Sequence, residues 1–361
     1  MVRTMVPLPA FIRRSWPSRR SARPAAGLGP GDEAVLDAPD ARLSPALVAA
    51  GRGEYRAAAE LLAGTRAAAE WENRDRYARR LAAFARLRPE WFEEWRAAEP
   101  DDPGALLVAA QLAVDRVWPS PARAELLREV SPLITAAARA DDRDPVPWRI
   151  ALDHARGSRA GHRYFEELWE AALRRAPHHY GCHVAALRYL AAFCCVRWGD
   201  TPHVPSAAHR ECFDFAELAA QDAPADSLVQ TLPARAAFGY LTEGGGPGVA
   251  RERLDAAADR AIALSARFAA ADPWPAGVRN ELLYVLLRLD RREDARAQLR
   301  LIGPYVTSCP WDRFSDDPLG HFLRLREHLL SGADAPAPAA LLPVPEEVLT
   351  GHRGHGGAAD H

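Results

Sequence analysis

Apolar residues recur with a helical period through most of the chain. In PGALLVAAQLAVDRVW, Leu106, Leu107, Ala110, Val114 and Val117 share one stripe at i+3/i+4 spacing, which predicts an amphipathic helix. In RNELLYVLLRL the apolar positions run on without a polar face, too continuously for an exposed helix. Period-2 alternation bounded by turns is absent and β-branched residues are few, so no strand is expected.

A recurrent start signal separates the helices. AAEPDDPGALLVAA, ARADDRDPVPWRIALDHA, RRAPHHYGCHVAALRYLAA, AAQDAPADSLVQTLPARA and AAADPWPAGVRNELLYVLL each end a helix in small residues, turn through polar residues and Pro, and open a new apolar helix. Proline tolerates the first helical turn and Asp can cap its free N–H groups. The markers Pro103, Pro145, Pro177, Pro224 and Pro273 are spaced by 42, 32, 47 and 49 residues. Paired-helix repeats run at about 34–47 residues, so the spacing predicts an array of hairpins with an uneven period.

Three segments carry a family resemblance. GRGEYRAAAELLAG at 51–64, GHRYFEELWEAALRRAP at 161–177 and DRREDARAQLRLIGP at 290–304 resemble the second helix of a tetratricopeptide repeat. The stretch from Trp148 through Trp198 also resembles uncharacterised helical proteins of actinobacteria. No unit meets the full repeat consensus. The resemblance implies an α-solenoid-like fold and a binding role, and it brings no reaction with it.

The expected architecture is therefore all-α: an irregular array of helical hairpins, either solenoid-like or a more compact helical body, over residues 41–330. Residues 1–40, an Arg/Pro-rich arm with Arg3, Arg13, Arg14, Arg19, Arg20 and Arg23 ahead of the first acid at Asp32, are expected to be disordered, as is the low-complexity tail 331–361.

Composition narrows the chemistry. All 46 basic residues are Arg, and the formal net charge is −2, which offers no overall field for nucleic acid or an anionic membrane. Without Lys, a P-loop, a protein kinase site and a pyridoxal-phosphate Schiff base are excluded. The five cysteines suggest no disulfide framework, and no apolar run spans a bilayer or forms a secretion signal; a cytoplasmic protein is expected.

The cluster HHYGCH is the most suggestive chemistry. His179 and His183 sit one turn apart on a helix with Cys182 beside them, a spacing that can share a Zn²⁺ ion. A fourth ligand would have to come from His154, His203, His209 or Cys212. Against this, His183, Leu187, Leu190 and Cys194 form one apolar stripe, which makes His183 a core histidine and Cys194 a small buried residue. Vicinal Cys194 and Cys195 point to different helix faces, a poor redox couple. GGGPG at 244–248 reads as an inter-helix linker, and GSRAG at 157–161 does not match a nucleophile elbow.

Ten tryptophans, among them Trp91, Trp95, Trp118, Trp148, Trp169, Trp198, Trp274 and Trp311, recur near helix ends, most as packing residues. The first helices of stacked hairpins line a concave face, and Trp148, Arg149, His179, His183 and Tyr189 belong to two successive first helices. The expectation is an interaction module without catalytic activity or cofactor, which binds a protein or peptide through those five residues. A zinc enzyme or sensor using His179, Cys182 and His183, and a structural homo-oligomer, are the rivals.

Overall fold

The computed structural model describes residues 33–198, 205–243 and 248–331, with side chains at these positions apart from 194–198 and 205–208. Most of both expected tails, the GGGP of the glycine linker, His203 and the side chains of Cys194, Cys195 and Trp198 lie outside the described residues. The described chain is all-α, with sixteen helices and two strands of two residues each.

Strand β1 (Val35–Leu36) leads into α1 (Leu43–Gly51) and α2 (Arg56–Ala67), then α3 (Trp71–Leu87) with the short α4 (Glu90–Ala98). The pairs that follow are α5 (Pro103–Val117) with α6 (Arg123–Ala140), α7 (Val146–Gly157) with α8 (His162–Arg175), and α9 (Tyr180–Trp198) with α10 (Pro205–Asp222). A 3-10 turn (Leu228–Thr231) opens α11 (Leu232–Thr242), paired with α12 (Arg251–Ser265), and α13 (Ala276–Arg288) pairs with α14 (Arg292–Ile302). Strand β2 (Tyr305–Val306), α15 (Ser308–Trp311) and α16 (Pro318–Leu330) complete the chain.

The pairs form two layers. Helices α3, α5, α7, α9, α11 and α13 pack in succession as an inner row, and α6, α8, α10, α12 and α14 each pack on the inner partner of their own pair. Side-chain character decides the layer. Helix α11 buries ten of its eleven residues and α13 nine of thirteen, whereas α8 buries four of fourteen along one stripe. The run RNELLYVLLRL is continuous because α13 lies inside. Its Leu282, Leu283, Tyr284, Val285 and Leu286 are all at most 1% exposed, and each apolar side chain contributes about 1.5–3 kcal/mol on burial. Segments 51–64, 161–177 and 290–304 contribute α2, α8 and α14, each the second helix of its pair.

The start signals work as their chemistry requires. Asp102 accepts from the N–H groups of Gly104 and Ala105, both at 2.8 Å, with Pro103 at the first helical position of α5. Asp144 accepts from Val146 N at 2.8 Å, and Asp272 from Trp274 N at 2.8 Å. Helix α9 differs: the N–H of Tyr180 is taken at 2.5 Å by Glu72, reaching across from α3.

The strands correct two expectations. Strand β1 pairs in parallel with β2, Val35 opposite Tyr305 and Leu36 opposite Val306, so ordered structure begins before residue 41 and includes a strand pair. Two residues per strand cannot hold a sheet alone. Side chains fasten the seam: Asp37 accepts from the amide of Ser308 at 3.0 Å and from its hydroxyl, while Arg80 on α3 donates to the Asp37 carbonyl and pairs with its carboxylate at 3.6 Å. On the other side Asn280 donates to the Tyr305 carbonyl at 3.0 Å and accepts from Trp311 Nε1 at 2.9 Å. Through Arg80 and Asn280 the seam connects α3 with α13, the two ends of the inner row.

Replacing Asp37 by Ala strips the seam of these acceptors. The expected outcome is a loss of about 1–3 kcal/mol in urea unfolding with an unchanged slope. An unaltered midpoint would show that the seam does not hold the ends.

Candidate functional site

Helix α3 carries the sequence WENRDRYARR, dense in charge for a helix of the inner row. Tyr77, Ala78, Leu81, Ala82 and Ala85 form its apolar stripe and are at most 1% exposed. The opposite face carries Glu72, Asp75, Arg76, Arg79 and Arg80, which line an interior cavity of about 510 Å³. Tyr180, Val184 and Arg188 of α9, Arg235 of α11, Glu281 of α13 and Cys309 after β2 line the other walls, with Trp274 at the α13 entry. Tyr180, Val184 and Arg188 share one face because they are four residues apart.

The charges of this interior form a network. The Asp75 carboxylate is buried and accepts from Arg79 at 3.0 and 3.1 Å and from Arg149 at 2.7 and 2.9 Å. Burial opposes its charge, and the two guanidinium groups overcome that and hold its carboxyl well below the usual range. Arg149 also donates to Gln111 at 2.5 Å and to Asp153 at 3.3 Å. Arg156 meets the other Asp153 oxygen at 3.6 Å. Nearby, Arg235 pairs with Glu281, and Cys309 Sγ lies 3.7 Å from the same carboxylate. Burial and Glu281 push the Cys309 thiol up to about 11, which keeps it protonated and a poor nucleophile at neutral pH.

Arg188 stands apart. Among the described residues it has no hydrogen bond and no ion pair. Burial disfavours its charge, as do Arg235, Arg79 and Arg156, and Asp153 offsets them in part; together they bring it down to about 10. At neutral pH it is still a cation. By contrast, Arg279, fully buried between α12, α13 and α14, aims its five N–H groups at Ser265 Oγ and the carbonyls of Ser265, Phe268, Ala269 and Leu301, at 2.9–3.0 Å.

The five residues expected to form a binding face do not form one. Arg149, His179, His183 and Tyr189 are at most 4% exposed. Arg149 and His179 are interior because α7 and α9 pack on α3, and His183 and Tyr189 because the outer helices α8 and α10 cover them. Arg149 belongs to the ion network. Tyr189 stacks on Phe165 at 3.9 Å and donates to the Ala160 carbonyl at 3.0 Å. Trp148 is half-buried under the Arg175 guanidinium, 4.3 Å from the ring centre.

Nor are the three zinc candidates arranged as a ligand set. His179 Nδ1 lies 3.2 Å from Cys182 Sγ, but His183 turns away and donates from Nε2 to the Pro177 carbonyl at 2.8 Å. Among the fourth-ligand candidates, His154 bonds the Leu127 carbonyl at 2.8 Å and His209 pairs with Glu243 at 3.2 Å. Among the described residues, no group of three or more His, Cys, Asp or Glu is placed to hold a metal ion. The two imidazoles also differ in charge. Burial brings His183 down to about 4, so it is neutral at pH 7. Burial opposes charge on His179 too, but Glu72 at 3.7 Å, Cys182 and Asp75 lift it to about 10.

The chain matches no family model, no curated protein and no solved structure. Among the described residues, no helix is long and apolar enough to cross a membrane.

Two outcomes follow for this interior. A Cβ on Gly181 would stand 2.4 Å from Asp75 Oδ2 and 3.0 Å from His179 Cε1. Two arginines hold Asp75 in place, so Gly181→Ala should lower the melting temperature, although Ala ordinarily gains about 1 kcal/mol over Gly in a helix. A rise would contradict the close approach. For His179 the folded value of about 10 lies above the ordinary 6.5, so its contribution to stability is complete below pH 6.5 and is lost as pH rises through 10. Its ring should still report as imidazolium by NMR at about pH 8, and His179→Gln should flatten that alkaline loss of stability. A ring that titrates near the ordinary value would refute the assignment.

Proposed function

We propose that this protein is a binding module whose ligand is a small molecule held in the interior cavity. The observation that carries the reading is the cavity itself: about 510 Å³, walled by the inner helices and the β1–β2 seam and partly open to solvent, with polar side chains converging from α3, α9, α11 and α13. Small-molecule sites have volumes of about 300–1,000 Å³ and few, placed polar groups. The walls supply both kinds of contact, with Val184, Ala276, Val278, Val306 and Trp274 beside the charged groups. An extended peptide or a partner helix needs an open groove. The seam narrows that groove, and four of the five residues expected to line it are buried in packing contacts, so the cavity favours a small ligand over a protein or peptide partner.

The Cys309 thiol is protonated, and Asp75, Glu72 and His179 are engaged with one another or with arginines. This arrangement supports holding a ligand better than transforming one.

The test is native mass spectrometry of protein purified gently from its own host. A mass excess of a few hundred daltons, released on denaturation, is the expected result. Gly277 lines the cavity, and a Cβ there meets nothing within 4 Å. Gly277→Phe should therefore fold and lose the excess. Bare polypeptide in the wild type, with no thermal stabilisation by any member of a small-metabolite panel, would overturn the reading.

A further inference from the structure

We infer that Arg188 anchors an oxyanion, a carboxylate or phosphate group on the small molecule that occupies the cavity, with Arg79 and Arg235 facing the same anion. The inference rests on the small-ligand reading and adds the ligand's chemical class.

Three observations converge on it. The first is pairing. Every other arginine that lines the cavity has a carboxylate partner: Arg76 has Asp40, Arg79 has Asp75 at 3.0 Å, Arg80 has Asp37 at 3.6 Å and Arg235 has Glu281. Arg188 lines the same cavity and makes no hydrogen bond and no ion pair among the described residues.

The second is its surroundings. A guanidinium removed from bulk water and placed among cations costs free energy unless an anion accompanies it. The fully buried arginines all have oxygen partners, whereas Arg188 is part-buried against the cavity and has none of its own. Arg74 pairs with Asp144 at 2.6 Å, Arg149 with Asp75 at 2.7 Å, and Arg279 donates to oxygens alone. A fold that satisfies those side chains and leaves Arg188 without a partner leaves room for an anion that does not belong to the chain.

The third is placement. Arg188, Arg79 and Arg235 come from three inner helices, α9, α3 and α11, and all line the one cavity. Planar guanidinium forks from different directions suit the several oxygens of a carboxylate or phosphate, which bind two-pronged. Val184, Ala276, Val278 and Val306 line the same cavity, so the ligand combines its acidic group with an apolar part.

The decisive measurement compares the wild type with Arg188→Met and Arg188→Lys, using inorganic phosphate and succinate as separate probes at constant ionic strength with chloride as the background anion. Thermal unfolding and calorimetric titration are the readouts. The wild type should be stabilised by at least one probe beyond chloride, and which one responds distinguishes a phosphate-bearing from a carboxylate-bearing ligand. Arg188→Met should weaken that binding about tenfold or more, with Arg188→Lys in between. In chloride alone, Arg188→Met should melt at the same temperature as the wild type or higher, because it removes an unpaired cation; a merely structural arginine would lower it. Arg188→Lys keeps the charge and serves if the Met variant fails to fold. Failure of both probes on the wild type, or equal binding by a folded variant, overturns the assignment. If the wild type carries a co-purified ligand that Arg188→Met retains in full, the anion site falls and the small-ligand reading stands.

Discussion

The arrangement of the inner helices depends on one buried carboxylate. Asp75 is too well shielded from water to carry its charge unaided, and Arg79 and Arg149 supply the compensation from α3 and α7. Each guanidinium brings requirements of its own. Arg149 needs Gln111 on α5 and Asp153 on α7, and Asp153 in turn draws in Arg156. The close approach of Gly181 to Asp75 then fixes the start of α9 against α3, where any larger residue would intrude. Four inner helices are thereby placed by polar contacts that tolerate little error, since a buried charge that loses its partner is strongly destabilising.

Closure supplies what the hairpin array alone would lack. In a stacked array each pair contacts its neighbours, and the concave side stays open. Here α3 also touches α7 and α9, and the β1–β2 pairing joins chain segments far apart in sequence. Because a two-residue strand pair is weak, the side chains across the seam do the holding: Asp37, Ser308, Arg80, Asn280 and Trp311. Arg76 adds a bond to the Pro273 carbonyl at 3.2 Å and covers the Trp274 ring. The inner charged faces, which would be fully solvated in an open superhelix, now line a cavity of about 510 Å³. In that setting an unpaired guanidinium interacts more strongly with any charge brought beside it than it would on an open surface.

Much of the helical order was legible in the sequence and little of the cavity was. The Asp/Pro phrases mark real helix starts because their chemistry is local: a carboxylate two residues from the N–H groups it caps, as at Asp102 and Asp144. The continuous apolar run of α13 likewise signalled an inner helix. The choice of Trp148, Arg149, His179, His183 and Tyr189 as a face placed α7 and α9 rightly in the inner row. It failed on exposure, because Arg149 and His179 meet α3, and His183 and Tyr189 meet the outer helices α8 and α10, through contacts with no local signature. The signals for the site were present but weak. They were the charge density of WENRDRYARR on a helix that needed to be internal, Arg188 between apolar Leu187 and Tyr189, and Arg235 as the lone charge in PARAAFGYL. A single charge in an apolar helix is informative only once the helix is known to be surrounded on all sides.

The absence of Lys acquires a physical consequence in this interior. A buried ammonium among like charges sheds its proton readily, and lysines in such settings can become neutral near physiological pH. The guanidinium starts from a much higher value, so even the combined effect of burial and three neighbouring arginines leaves Arg188 at about 10, charged across the physiological range. A lysine at this position could relieve its unpaired charge by losing a proton. The guanidinium cannot, so its charge is a permanent feature of the cavity wall.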